Sequence, residues 1–439
     1  MKIIEKALAG LGYVAIAAWL FGAPRSPVFA KDEITFEMAI NQALQNSRKL
    51  QQSQQDLEGQ RAARRSAWAM VGPKVQLAYN DVRYEEAQVL PIGPQPIVMR
   101  PKHVQAGSLT VLQPITGAYA LVENGVLQGV QTRMKEAALQ GVTAEIAFQA
   151  ATMYLQTSQA ERQAKIAKSA LEASEAQLKE GLALERVGRI GKGDVLKFRL
   201  AVSQAKATVA RATAARNIAQ AALKQMLGIE TVGDLALNGS IPALMTDSEP
   251  VDVAVKKALD ERPEIRQANL AAESAGFSKK LAYAQFTPQV NIFAKWDKKF
   301  GDDDQDPERS FGVQVTWDLW NNGASVFEIQ RAVAQTQQAE LGALQAADGI
   351  KLEVATQKEN LVAAADGLAV AEATFEQATE AHRIELAEFR AGKSSASELV
   401  TAEFAKNSAE GQLVAAQTDL AVLQLRYQKA IGMVRPKLR

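Results

Sequence analysis

The chain has 439 residues, 47% of them hydrophobic and 23% charged, with a formal net charge of +1. That balance gives no electrostatic reason to expect nucleic acid as a partner. The absence of cysteine excludes disulfides, thiolate metal sites, a cysteine nucleophile and a lipidated N-terminal cysteine.

Aromatics make up only 6% of the chain, beside abundant Ala, Gln and Glu, a composition of long, closely packed helices. Lys2 and Lys6, the apolar run from Leu8 to Phe21 and the compact residues Val28 and Ala30 before Lys31 read as a signal peptide over 1–30. No later run approaches the ~18–20 apolar residues of a membrane-spanning helix. The two histidines, His103 and His382, are far apart in sequence and read as solvated or locally hydrogen-bonded.

Residues 33–71 read as a first helical segment. Thr35 is its candidate cap, and Phe36, Ile40, Ala43 and Leu44 form a stripe at helical spacing. Gln51–Gln60 is polar and reads as solvated. Gly72-Pro73 ends the segment. The period then changes to two: Val75, Leu77 and Tyr79 alternate with Gln76, Ala78 and Asn80. Residues 89–103, with four prolines, read as an irregular loop. A second strand covers about 105–115, with Leu109 and Val111 opposite Ser108 and Thr110 in facing. From Tyr119 to Val187 the helical pattern runs without proline, roughly 100 Å at ~1.5 Å per residue. Such a helix needs a coiled-coil-like partner. A glycine turn, Arg186-Val-Gly-Arg-Ile-Gly-Lys-Gly-Asp-Val-Leu196, leads into a returning helix, Asp194–Leu227, which Gly228 closes.

The plan then repeats. Ala43-Leu44 aligns with Ala258-Leu259, Pro73 with Pro288 and Val75 with Val290, an offset of 215; past the strands Gly188 aligns with Gly392 and Gly228 with Gly432, an offset of 204. The difference falls in the loop between strands, where repeats vary. In the second copy Val290, Ile292, Ala294 and Trp296 alternate with polar neighbours, as do Val313, Val315, Trp317 and Leu319. Between these strands, Lys298–Arg309 reads as a charged, solvated loop. The domains are therefore a first repeat over 31–232 (β-hairpin about 74–116, helical hairpin about 118–228), a linker over 233–250 and a second repeat over 251–435 (β-hairpin about 289–320, helical hairpin about 323–432).

Strands of about ten residues with one apolar and one polar face match the ~9–11 residues that cross a bilayer as part of a β-barrel. Tyr79, Trp296, Trp317 and Trp320 are candidates for aromatic girdles. Four strands cannot close such a barrel, so two chains would give 8 strands and three would give 12. The expected class is mainly α with a small β part. No catalytic constellation, cofactor motif or metal-ligand cluster is visible, and Gly188–Gly193 fits neither phosphate-loop spacing.

The duplication, the exported N-terminus and the paired segments Val187-Gly188…Asp194-Val195-Leu196 and Ala391-Gly392…Glu398-Leu399-Val400 resemble the TolC family of outer-membrane efflux proteins, over roughly 33–432. The resemblance implies a homotrimer with a 12-stranded outer-membrane β-barrel continued by a long periplasmic α-helical barrel. It also implies a passive exit duct for a tripartite efflux pump or type I secretion system. The partners would be a periplasmic adaptor (membrane fusion) protein and an inner-membrane pump or ABC exporter, with no enzymatic activity. It places both glycine turns at a periplasmic tip. There Asp194 matches an aspartate of the aperture and Glu398 an acidic ring position. Phe389 and Ser394 replace the tyrosine and arginine that partner that aspartate in relatives. Val187, Gly188, Arg189, Lys192, Ala391, Gly392 and Lys393 would form the turns that meet the adaptor. Rings of Asp194 and Glu398 would favour cations; both residues also suit helix N-termini. The rival readings are a periplasmic adaptor, which carries one hairpin rather than two, and a structural coiled-coil envelope protein, which needs no alternating strands.

Overall fold

The computed structural model describes residues 33–90, 97–229, 235–238, 249–301 and 306–433. The signal-peptide reading of 1–30, most of the linker and the acidic run Asp302–Asp304 lie outside the described residues. In chain order the elements are α1 (Phe36–Asn46), α2 (Arg48–Ala69), β1 (Lys74–Arg83), β2 (Gln88–Leu90), β3 (Ile97–Arg100), β4 (His103–Pro114), α3 (Gly117–Arg186) and α4 (Lys192–Leu227). The second repeat follows with α5 (Val251–Glu261), α6 (Pro263–Ala284), β5 (Gln289–Phe300), β6 (Glu308–Thr316), α7 (Ala324–Arg390) and α8 (Ala396–Ala430).

The duplication extends to the packing. α1 and α5 both have 11 residues, and α2 and α6 both have 22. Ala39, Ala43, Ile146 and Leu223 form one core with Phe36, Tyr154, Leu227 and Leu425. Their counterparts Ala254, Ala258, Ile350 and Tyr427 form the other with Val354 and Ile431. Phe36 and Tyr154 meet edge to face, centroids 5.7 Å apart at 81°. The glycines that close the returning helices are also equivalent. Gly228 has φ 68° and its absent Cβ would sit 3.1 Å from Asn46 Cβ; Gly432 has φ 93° and would meet Glu261 Cβ at 3.0 Å. Both the left-handed backbone and the close approach call for glycine.

The first helical segment is two helices. Thr35 caps α1, its Oγ1 accepting from Met38 N at 3.3 Å. Ser47 is extended (φ −67°, ψ 113°), and its hydroxyl accepts from Leu50 N at 3.2 Å to start α2. The equivalent position in the second repeat is Arg262, also extended (φ −69°, ψ 129°), with Pro263 as the first residue of α6. Proline at that position gives up an amide that no helical carbonyl would have accepted.

The strands form one antiparallel sheet in the order β1-β4-β5-β6. β4 pairs with β5, joining the two repeats, from Gln105↔Phe300 to Pro114↔Asn291. β1 and β6 are open edges. The stretch read as an irregular loop contains the small hairpin β2–β3 among its described residues. The charged loop is shorter than its composition suggests, because Lys298–Phe300 continue β5 and Glu308-Arg309 begin β6. At the other end β6 stops at Thr316, so Trp317 and Leu319 carry on the alternation of side chains without strand pairing.

α3 packs along α4, and α7 along α8, as two long helical hairpins; α3 also contacts α8. Among the described residues no helix is long and apolar enough to cross a membrane.

Candidate functional site

Two regions carry the chemistry: the sheet at one end and the glycine turns at the other. Register assigns the faces of the sheet. Leu77, Leu109, Trp296 and Arg309 lie in one row, and Val75, Val111, Ala294 and Phe311 in the next. Ile292 pairs with Val313, and Val290 with Val315, below them. This face is apolar and open, with Phe311 90% exposed and Leu77 77%. The other face presents Gln76, Asn80, Ser108, Thr110, Asn291 and Gln314, together with an ion pair of Lys295 and Asp297 at 2.9 Å. At the end distant from the long helices the apolar rows give way to a polar cluster, in which His103 Nε2 lies 2.8 Å from Asp81 Oδ1 and Gln105 donates to Asp81 at 3.1 Å.

The aromatic candidates fall at two levels. Trp317 donates its indole N–H to the Phe286 carbonyl at 3.2 Å, and Trp320 to Asn322 Oδ1 at 3.1 Å, both at the helix end of the sheet. Trp296 lies in the row of Arg309, and Tyr79, opposite Gly107, lies one row further out. Arg309 and Trp317 are eight residues apart, about 26 Å along a strand at ~3.3 Å per residue. A tilt of ~40° reduces that to about 20 Å, close to the ~25 Å apolar band of outer-membrane barrels.

At the far end of the long helices the two turns have the same build. Gly188 has φ 75° and Gly392 φ 73°. Arg189 N donates to Leu184 O, and Lys393 N to Glu388 O, both at 2.9 Å. Val187, Arg189, Lys192, Ala391 and Lys393 are exposed at these turns. Asp194 sits in the first turn of α4, which has glycine rather than a side-chain cap, and contacts Lys197 at 3.2 Å. Glu398 completes a capping box: Ser395 N donates to Glu398 Oε2 at 2.8 Å, and Glu398 N to Ser395 Oγ at 3.3 Å. The Ser395 backbone amide, the Ser395 side chain and Ser394 together hold the Glu398 carboxyl below its ordinary range.

Phe389 is buried between the two hairpins, edge to face with Phe198, centroids 5.7 Å apart at 81°. Leu399 and Ala396 complete this small core. Ser394 contacts Glu385 and lies 3.1 Å from Glu398. Arg390 makes a two-pronged pair with Glu180 at 3.1 and 3.3 Å, joining α7 to α3. Sequence reading missed this pair and Phe198, because their partners are some two hundred residues distant and no local pattern links them.

Gly181 lies under the Phe198 ring, 2.7 Å from where its Cβ would be. Gly→Ala inside a helix ordinarily gains stability. Here the added methyl must displace the ring, so Gly181→Ala is expected to destabilise by about 1–3 kcal/mol. Thermal unfolding checks this, and Phe198→Leu in the same chain should recover the loss.

Residues 254–433 match the family model described as outer membrane efflux protein. That match spans less than half of the chain. The fold of the whole chain is similar to solved structures of CusC (TM-score 0.80, 16% identity, 92% of this chain and 95% of that one) and of VceC, an outer membrane protein of Vibrio cholerae (0.76, 19%, 90% and 96%). It is also similar to the CmeC outer membrane channel of Campylobacter jejuni (0.80, 14%, 90% and 85%). No curated protein matches the chain in sequence.

Proposed function

We propose that three copies of this chain form the exit duct of an export system. The observation that carries the reading is the four-stranded sheet itself: both edges are open, one face is largely apolar with many of its side chains exposed, and it stands on helices of 70 and 67 residues. Open edges call for strand partners, and in lipid only closure satisfies every backbone group. Three copies supply 12 strands, enough for a water-filled lumen bounded by the polar face. Tyr79 and Trp296 would mark one membrane interface and Trp317 and Trp320 the other. The helical hairpins would extend the duct through the periplasm.

The turns at Gly188 and Gly392 would then form the inner aperture. Arg189, Lys192 and Lys393 are exposed cations placed to meet the hairpin of a periplasmic adaptor. Energy would come from an inner-membrane pump or ABC exporter; a tripartite efflux pump and a type I secretion system fit the duct equally. Fractionation tests the assembly: a heat-modifiable trimer extracted by detergent from the outer membrane is expected, and a soluble periplasmic monomer would overturn the reading.

Asp194 and Glu398, repeated in three copies, would ring the aperture with negative charge and favour cations. In planar bilayers with a salt gradient, Asp194→Asn with Glu398→Gln is expected to move the reversal potential toward zero selectivity. An unchanged potential would leave both carboxylates as helix caps only.

A further inference from the structure

The outer helix of each long hairpin is covered on one side only. α4 buries Val195, Phe198, Val202 and Ala205. On its opposite side a second stripe, Leu196, Leu200, Ser203, Ala207, Ala210 and Ala214, recurs in alternating steps of four and three and is exposed throughout. α7 is built the same way. Leu361, Leu368, Phe375, His382 and Phe389, every seventh residue, lie on its less exposed side. Asp366, Val370, Ala373, Gln377, Glu380 and Ile384 form an exposed stripe opposite. Alternating steps of three and four are the spacing by which one helix seats along another. Each of these helices therefore carries a second seam that no described residue of the single chain covers.

Charge identifies the occupant. α4 has seven Lys/Arg and one Asp, whereas the equal length of α7 that ends at the turn, 355–390, has seven Asp/Glu and three Lys/Arg. In the inner helices the signs nearly balance, with five of each over 151–186 of α3 and four Asp/Glu to three Lys/Arg in α8. The opposite excesses are thus confined to the two outer helices. We infer that α4 of one copy lies on α7 of the next, a charge-complementary seam that sets the direction in which copies join. The proposal rests on the duct reading and names the surfaces that bring its copies together. α4 runs away from the turns and α7 toward them, so the pair is antiparallel. A contact between two different surfaces is heterologous and can close into a ring, while α4 on α4 would set cations against cations. The sheet points the same way independently. Its open edges are β1 of the first repeat and β6 of the second, just as α4 belongs to the first repeat and α7 to the second, so one rotation joins both. Counted from the turn ends Lys192 and Arg390, Lys206 and Glu376 stand at the same level, and Ala210 and Ala373 within one residue of it. Lys206 also contacts Glu175 at 3.6 Å, and Glu380 contacts Arg383 at 2.7 Å, exposed pairs that a neighbour can share.

The chain has no cysteine, so Ala210→Cys with Ala373→Cys in the full-length protein tests the seam directly. After oxidation of cell envelopes with copper phenanthroline, a ladder ending at trimer is expected on non-reducing gels, and neither single variant should link. Links from A210C alone would show like surfaces meeting and overturn the seam. Charge reversal tests the chemistry. Arg199→Glu with Lys206→Glu on α4, or Glu376→Lys with Glu380→Lys on α7, should each lower trimer yield about tenfold, the scale of two exposed ion pairs per contact turned to repulsion. All four changes in one chain should restore the yield, because every copy then supplies both reversed surfaces. Yields indifferent to either reversal, or not restored by the fourfold variant, overturn the inference. A heat-modifiable trimer without A210C–A373C links overturns the seam and leaves the duct, whereas a soluble monomer without links overturns both.

Discussion

Val313→Arg should largely eliminate trimer from the outer membrane, whereas Gln314→Arg, the next residue, should leave assembly intact and alter ion flow. The two side chains stand on opposite faces of β6, since Val313 pairs with Ile292 in the apolar rows and Gln314 with Asn291 in the polar ones. Val313 lies four residues from Arg309 and four from Trp317, which puts it at the middle of the apolar band. Arginine facing lipid at the mid-plane of such a barrel costs about 2–4 kcal/mol, and near the interfaces about 0–1. At 1.4 kcal/mol per factor of ten, the mid-plane cost is a loss of roughly 30-fold to 1,000-fold in each of three copies. Val315→Arg, one row nearer the helix end, should therefore be milder than V313R. The measurement is the yield of heat-modifiable trimer, followed by reversal potentials for the Q314R pore. Normal yields for V313R, or failure of Q314R, would mean that the faces are reversed or that the sheet does not meet lipid.

The large divisions of this fold are legible in sequence because each has a local signature. Helical and strand periods differ, Gly72-Pro73 and Gly228 end elements where they stand, and an internal repeat gives every feature a second witness. The break at Ser47 was missed because one extended residue between two helices leaves the apolar period almost undisturbed. Its second copy did carry a sign, Pro263 directly after Arg262. The β2–β3 hairpin was missed because its strands have only three and four residues, too few to show alternation among prolines. At the tip, the acids at Asp194 and Glu398 were visible, and Ser395-Ala-Ser-Glu398 is a capping box in sequence as well as in structure. What could not be read were the long-range meetings: Phe198 on Phe389 and Arg390 on Glu180. These depend on which faces two long helices present to each other, which no single segment encodes.

The second repeat's break should respond unequally to removal of its two kinds of charge. Arg262 is 7% exposed and donates to Glu264 at 3.2 Å and to Glu353 at 2.5 Å, while those two glutamates are 46% and 41% exposed. Removing the acids, as in Glu264→Gln with Glu353→Gln, leaves a buried guanidinium without a countercharge, and breaking a buried pair in this way costs about 3–5 kcal/mol. Removing the arginine leaves carboxylates that water can reach. The first repeat shows what can replace it, because Ser47, 215 positions earlier, makes the same break with a hydroxyl cap. Arg262→Ser should thus cost about 1 kcal/mol or less, within the range of surface and cap effects. Placing R262S in the double-glutamine background should restore most of the lost stability, a coupling that a double-mutant cycle in denaturant measures directly. Acid should act in the same direction as the glutamine pair. Burial raises the Glu264 pKa, but the hydrogen bond from Arg262, a backbone hydrogen bond and the charges of Arg262 and Lys429 together more than reverse this, so the carboxyl titrates below its ordinary range. A carboxyl held low stabilises the fold above its unfolded pKa, near ~4.3, and that contribution disappears as pH falls through the folded value. The wild type should therefore lose this increment in acid, whereas R262S, with no buried guanidinium to leave uncompensated, should show a flatter profile. Equal losses for the glutamine pair and for R262S would show that the arginine supplies packing rather than a charge that needs its partners.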